Sequence, residues 1–316
     1  MEPESQSQFD QRSVAREIFN LITKKRCLAW LGSGLSRPAG YVDWKTLTER
    51  LATSCLGSLD LVNGDLLAKR FPDAADTCYD AAPQKYRSTL REEFGGRVVT
   101  RRLAYEYLLE LPFSGYVTTN FDPLLQYEAR RRPGDFELVV YPLLRRPRTP
   151  SRPVYYIHGL ATHGKPDSKD WLVLRKADFE RAYNELRVVP SWSQSELLDQ
   201  HVLFISSGLA EEELLETLRH TKSVLAAIRS AEPGASIPEL HALSASRPTD
   251  SERSRDIQRE RWHQLGIDNV MFYDQVDDRY SGLESLLEEV LDIQETPVPV
   301  QLNPRILSAD LRKEAE

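Results

Sequence analysis

Short apolar runs alternate along this chain with stretches whose apolar residues recur three and four apart. Runs of strand length fall near residues 27–31, 115–119, 154–157, 202–206 and 270–274, and helical spacing fills the intervals between them. That alternation predicts an α/β protein with a Rossmann-like parallel sheet and helices on both faces. Trp44, Leu47, Leu51 and Cys55 show the helical spacing clearly. Asp43 stands just before them, where a side-chain oxygen caps the first turn.

Two intervals depart from simple alternation. Residues 57–112 carry helical signals and no convincing strand, more chain than one crossover needs, which predicts a small helical subdomain inserted after the first strand-helix unit. Between about 229 and 250, Pro233, Gly234, Pro238, Pro248 and several serines predict a loop or insertion. Ser251 to Gln264 is heavily charged and reads as a solvated helix. After Ile293, Thr296-Pro297-Val298-Pro299 interrupts helical order. The expected organisation is one domain over 12–292 and a tail or docking arm over 293–316.

Composition narrows the class. Of 316 residues 41% are hydrophobic, enough for a substantial core. A net charge of -7 argues against direct nucleic-acid binding, which needs a clustered basic surface. The basic runs Arg130-Arg131-Arg132 and Arg145-Arg146-Pro147-Arg148 read as solvated loop and helix-end residues. Residues Met1 to Gln11 lack the cationic start and apolar core of an export signal, and no apolar run approaches the roughly 20 residues that span a bilayer. Cys27, Cys55 and Cys78 are scattered, which fits free thiols in a reducing, cytoplasmic setting.

Candidate chemistry sits at the ends of the apolar runs. The run Cys27 to Leu31 leads into Gly32-Ser33-Gly34-Leu35-Ser36. Gly32 and Gly34 there remove side chains that would block a pyrophosphate, and Ser33 and Ser36 offer donors to its oxygens. The turn lacks the third glycine of the dinucleotide fingerprint and the Lys-Ser/Thr of a P-loop, so alone it is equally an ordinary strand-to-helix turn. Asn120 and Asp122 follow the run ending at Thr118-Thr119, and His158 follows Tyr156-Ile157. Each has a structural alternative: a turn amide, a helix cap ahead of Pro123, a satisfied buried histidine. Jointly they lie at strand C-terminal ends, where open α/β sheets bind ligands.

The glycine-serine turn, Thr118-Thr119-Asn120-Phe121-Asp122 and His158-Gly159, in this order, resemble the sirtuin family over roughly residues 15–292. Val202 to Leu209 is similar to that family's strand and small polar turn near the nucleotide ribose. Val270 to Asp274 is similar to the last strand of sirtuin-like proteins of bacterial defence systems. Sirtuin deacylases hold zinc between two Cys-x-x-Cys pairs, which three scattered cysteines cannot supply. Val42-Asp43-Trp44-Lys45 likewise resembles the zinc-free, defence-associated branch.

The resemblance implies an NAD+ hydrolase using NAD as substrate and no metal. Asn120 would position ribose and water, and His158 would be the general base. Gly32, Ser33, Gly34 and Ser36 would cradle the pyrophosphate, Asp122 would orient Asn120 or meet the nicotinamide, Ser207 and Gly208 would lie near the adenosine ribose, and Tyr273 beside the adenine. It further implies an anti-phage effector restrained by homo-oligomer assembly or by a sensor such as a HerA-like ATPase or an Argonaute-type protein. The alternatives are a protein deacylase or ADP-ribosyltransferase, and a non-catalytic subunit that binds NAD or ADP-ribose.

Overall fold

All five residues of Cys27–Leu31 are buried, the mark of a strand covered on both faces. Cys27, Ala29 and Leu31 pack into one apolar cluster, and Leu28 and Trp30 into a second across the sheet. The computed structural model describes residues 10–95, 103–148, 150–161, 172–209, 211–247, 249–275 and 281–295. Within them this strand, β1, is joined by β2 (Gly115–Thr118), β3 (Phe136–Val140), β4 (Arg152–Tyr156), β5 (His201–Ile205), β6 (Leu240–Ser246) and β7 (Asn269–Asp274). Every pairing is parallel, in the order β3-β4-β2-β1-β5-β6-β7. The result is a Rossmann-like α/β fold.

Helices cover both faces. Gln11–Lys24 and Trp44–Leu56 supply Ile18, Leu47 and Leu51 to the first cluster, and Val188–Asp199 and Glu212–Ala231 supply Val189, Leu197, Leu214 and Leu218 to the second. Asp43 caps its helix by accepting a hydrogen bond from Thr46 N–H at 2.9 Å. Ser251 caps the charged helix Glu252–Gln264 in the same way. Four further helices, Asn63–Leu67, Phe71–Ala81, Pro83–Phe94 and Leu103–Glu110, occupy the interval between β1 and β2.

Two strands escape the sequence pattern. The interval 229–250, expected as a loop, contains β6, with Pro233, Gly234 and Pro238 confined to the connection before it and Pro248 outside the described residues. Leu240-His241-Ala242-Leu243-Ser244-Ala245-Ser246 has no β-branched residue; its conformation comes from pairing on both sides, Val202 opposite Leu240 and His241 opposite Asn269. Strand β3 is an edge strand against β4. At the other end, the helix Ser281–Glu295 continues past Ile293, and the rest of the expected tail lies outside the described residues.

The strand order reverses between β1 and β5: the chain builds outward from β1 through β2 to β4 and β3, then returns to β5 on the opposite side. A crevice opens at such a switch point. Gly32 sits in it, its N–H donating to Ile205 O at 3.0 Å, and a Cβ there would meet Ser206 O at 2.2 Å. Gly32→Ala is therefore expected to cost about 1–3 kcal/mol in urea unfolding. Gly208→Ala, where an added Cβ meets nothing within 4 Å, changes stability by less than about 1 kcal/mol.

A candidate active site at the strand ends

Three loops converge beyond the C-terminal ends of β1, β2 and β4. After β1 the chain coils into a tight helix, Ser33–Ala39, closed by Gly40 at φ 85°. This coil turns Ser36 inward, where it is 2% exposed. The Ser36 hydroxyl donates to Asp122 Oδ2 at 2.7 Å, and its oxygen lies 2.9 Å from the Tyr105 hydroxyl. Because Ser36 has a single proton and gives it to the carboxylate, Tyr105 is the donor in the second contact.

The loop after β2 is held as firmly. Thr118 Oγ1 donates to Leu31 O at 2.9 Å and accepts from Asn120 N–H at 3.0 Å, tying β2 to β1 and fixing the backbone of Asn120. The Asn120 side chain, 8% exposed, donates from Nδ2 to Gly32 O at 3.1 Å. Asp122 Oδ1 accepts from Leu124 N–H at 3.1 Å, at the start of the helix Leu124–Arg130. The N-cap itself is Pro123, so Asp122 ties down the backbone one residue ahead of the cap. Burial pushes its carboxyl up to about 6, against the lowering influence of the bonds from Ser36 and Leu124.

The loop after β4 brings in the imidazole. Ile157 N–H donates to Thr118 O at 3.1 Å, and Gly159 turns the chain at φ 90°. His158, 1% exposed, has Nε2 2.7 Å from the Tyr183 hydroxyl. The rings of Phe179 and Tyr183 stack with centroids 5.6 Å apart, and both meet the imidazole edge to face. Burial pushes the His158 pKa down to about 3, so the ring is neutral at ordinary pH.

These loops line one cleft, partly open to solvent. Ser33, Ser36, Asn120, Asp122 and His158 all border it, with Gly32 and Gly34 in the backbone beside Ser33. Ser207 and Gly208 follow β5 outside the lining, and Tyr273 is packed in the core. Tyr105, Tyr183 and Phe179 carry no site signal in the sequence. The spacing of Phe179 and Tyr183, four apart, marks them only as one face of a helix, and nothing local ties Tyr105 to residues 15 positions later.

Other charged features are accounted for elsewhere. Arg131 pairs with Glu106 and Glu128, Arg132 with Glu110, Arg145 with Glu137, and Arg146 with Glu196 and Asp199. Among the described residues, and away from the strand ends that form the cleft, His201, Glu239 and His241 gather potential metal-ligand atoms within 4.8 Å of one another, at the N-terminal ends of β5 and β6. There Lys25 already neutralises Glu239 at 3.1 Å, and His201 Nδ1 accepts the Glu239 N–H. The three cysteines are free, Cys27 in β1 and Cys55 and Cys78 in helices. No helix among the described residues is long and apolar enough to cross a membrane.

Fold and cleft together define a Rossmann-like protein whose switch-point pocket has a mixed lining, with Ser33, Ser36, Asn120, Asp122 and His158 beside Val42, Trp44, Leu47, Phe94 and Phe121. Residues 114–270, which include Asn120 and His158, match the family model described as SIR2-like domain. A solved structure described as "The Structural basis for Sirtuin Substrate affinity" is 13% identical, with 87% of this chain and 97% of that chain covered and a TM-score of 0.38; a likeness so distant bears no weight on the site. No curated protein matches.

The raised Asp122 carboxyl makes a stability prediction. Between the ordinary value of 3.8 and about 6, the folded chain keeps a proton that the unfolded chain has released, so this group's contribution falls as pH rises and the penalty is complete above that window. Asp122→Asn removes the slope. Relative to wild type it gains stability from pH 4 to pH 7, by at most about 3 kcal/mol, in urea unfolding followed across that range.

Proposed function

We propose that the cleft binds NAD and hydrolyses its nicotinamide–ribose bond. The observation that carries this reading is the convergence of Asn120 and His158 on the same pocket as the Ser33–Ser36 turn. Gly32 and Gly34 keep that turn narrow enough for a pyrophosphate to approach its backbone, and Ser33 and Ser36 lie beside it. Ser207 and Gly208, after β5, would reach the adenosine ribose. The buried side chain of Tyr273 offers no surface to the adenine, so adenine contact falls to residues other than this one.

In the reaction, water adds to the ribose carbon as the bond to nicotinamide breaks. The bonding pair goes to the pyridinium nitrogen, nicotinamide leaves neutral, and the proton of the attacking water passes to Nδ1 of His158, the ring nitrogen not bonded to Tyr183, and then to solvent. With Nδ2 committed to Gly32 O, Asn120 presents its amide oxygen to the ribose hydroxyls or the water. Positive charge developing on the ribose is stabilised by the Asp122 carboxylate, held in a site from which water is largely excluded. A carboxyl with a pKa of about 6 is ionised at neutral pH, and a histidine pushed down to about 3 is neutral. Both are thus in the protonation states that these roles require.

A hydrolase of this kind would exhaust its own cell's NAD, which is why we read it as a restrained effector of anti-phage defence. A HerA-like ATPase, an Argonaute-type protein or further copies of the chain would release it. The full-length protein, alone and with the products of its neighbouring genes, should release nicotinamide from NAD in a chromatographic assay. Asn120→Ala and His158→Ala are each expected to lower that rate about 100-fold or more with unchanged circular dichroism. Folded variants with wild-type turnover would refute the roles. Turnover of an acyl-lysine peptide in place of NAD hydrolysis would assign the cleft to a deacylase.

A further inference from the structure

His158 is not held by its own loop alone. Its Nε2 meets Tyr183 on a π-helical turn, Glu180–Glu185, that continues the short helix Lys176–Phe179. Such turns are rare and shift side chains relative to an α-helix, and they recur at functional sites. The turn ends at Leu186, and the next residue, Arg187, takes φ 52°, a left-handed conformation that a non-glycine residue adopts only when its surroundings impose it.

The far end of the segment is pinned to the helix Phe71–Ala81. Lys176 Nζ lies 2.7 Å from Asp73, Ala177 N–H donates to the Asp76 carboxylate at 3.2 Å, and the Arg175 guanidinium sits 3.9 Å over the Tyr79 ring. Phe179 completes the clasp by stacking on Trp44, which lines the cleft, with centroids 5.8 Å apart. The phenol therefore reaches His158 from a scaffold fixed at both ends. A buried hydrogen bond of this kind, sheltered from competing water, is strengthened by the low local dielectric.

We propose that Tyr183 is the positioning residue of His158: it holds the imidazole in one tautomer and one orientation at the wall of the cleft. A neutral imidazole has one donor and one acceptor nitrogen, and a phenol hydroxyl can pair with either; with Nε2–H donating to the Tyr183 oxygen, Nδ1 is left as the acceptor that a base needs. Without that partner the ring loses the bond that holds it in this form. The kinetic consequence rests on the hydrolase reading above; the tautomeric one does not.

The test is long-range proton–nitrogen NMR on full-length protein labelled with 15N-histidine, with the His158 signals identified by their loss in His158→Gln. Wild type is expected to show two well-separated nitrogen shifts, those of a single tautomer. Tyr183→Phe, which keeps the ring packing, is expected to bring them toward the average of two tautomers. In the same variant kcat for nicotinamide release should fall about tenfold with KM for NAD within about twofold. Lys176→Ala, which loosens the turn from its exposed end, should move the shifts in the same direction by a smaller amount. An unchanged His158 spectrum in both variants overturns the proposal, as does full kcat in Tyr183→Phe. Absence of NAD turnover in the wild type, both alone and with the products of its neighbouring genes, would defeat the hydrolase reading and leave the NMR result to decide the positioning role.

Discussion

The buried bond from the Ser36 hydroxyl to the Asp122 carboxylate, 2.7 Å long, is the constraint on which the cleft depends. It joins the turn after β1 to the loop after β2 and carries Tyr105, from a separate helix, into the same network. Removing any one partner leaves a buried polar group without its bond, which costs more than the bond contributes. The network is possible only because Gly32 lets the β1 turn close against the end of β5, where any Cβ would collide with Ser206 O. Backbone approach and carboxylate burial are thus one arrangement viewed from two sides.

Burial acts in opposite senses on the two titratable groups at the cleft, raising Asp122 to about 6 and lowering His158 to about 3. Pairs whose environments push them apart in this way mark sites where one fold keeps a charged and a neutral group side by side. The two are unequal in their support. Asp122 receives bonds from Ser36 and Leu124 that favour its charge, whereas His158 is enclosed by the aromatic rings of Phe179 and Tyr183. An anionic wall facing a neutral base is the electrostatic pattern that cleavage to a positively charged ribose would need.

Much of this was legible in the chain because it is written locally. Cys27 to Leu31 announces a buried strand, Asp43 a cap, and the small residues after Leu31 a turn; Asn120 and His158 stand where apolar runs end. Strand β6 was not legible, since its Leu, His, Ala and Ser residues become a strand only between β5 and β7. The partners of the site residues were hidden for a related reason. Tyr105 and Tyr183 reach Ser36 and His158 across 69 and 25 positions of sequence, and a buried tyrosine in a helix has the same sequence signature whether it fills the core or orients a catalytic group. Tyr273 shows the converse: a residue at a strand end, well placed in sequence, whose side chain the fold directs into the core.

The proposed reaction requires NAD to sit in the cleft between Ser33, Asn120 and His158. Hydrogen–deuterium exchange of the full-length chain, with and without NAD, tests this most directly. Slowed exchange is expected in peptides spanning residues 32–36, 118–122 and 157–160, with no change at the N-terminal ends of β5 and β6 around His201 and His241. Protection confined to those N-terminal strand ends, or no protection anywhere at saturating NAD, would contradict it.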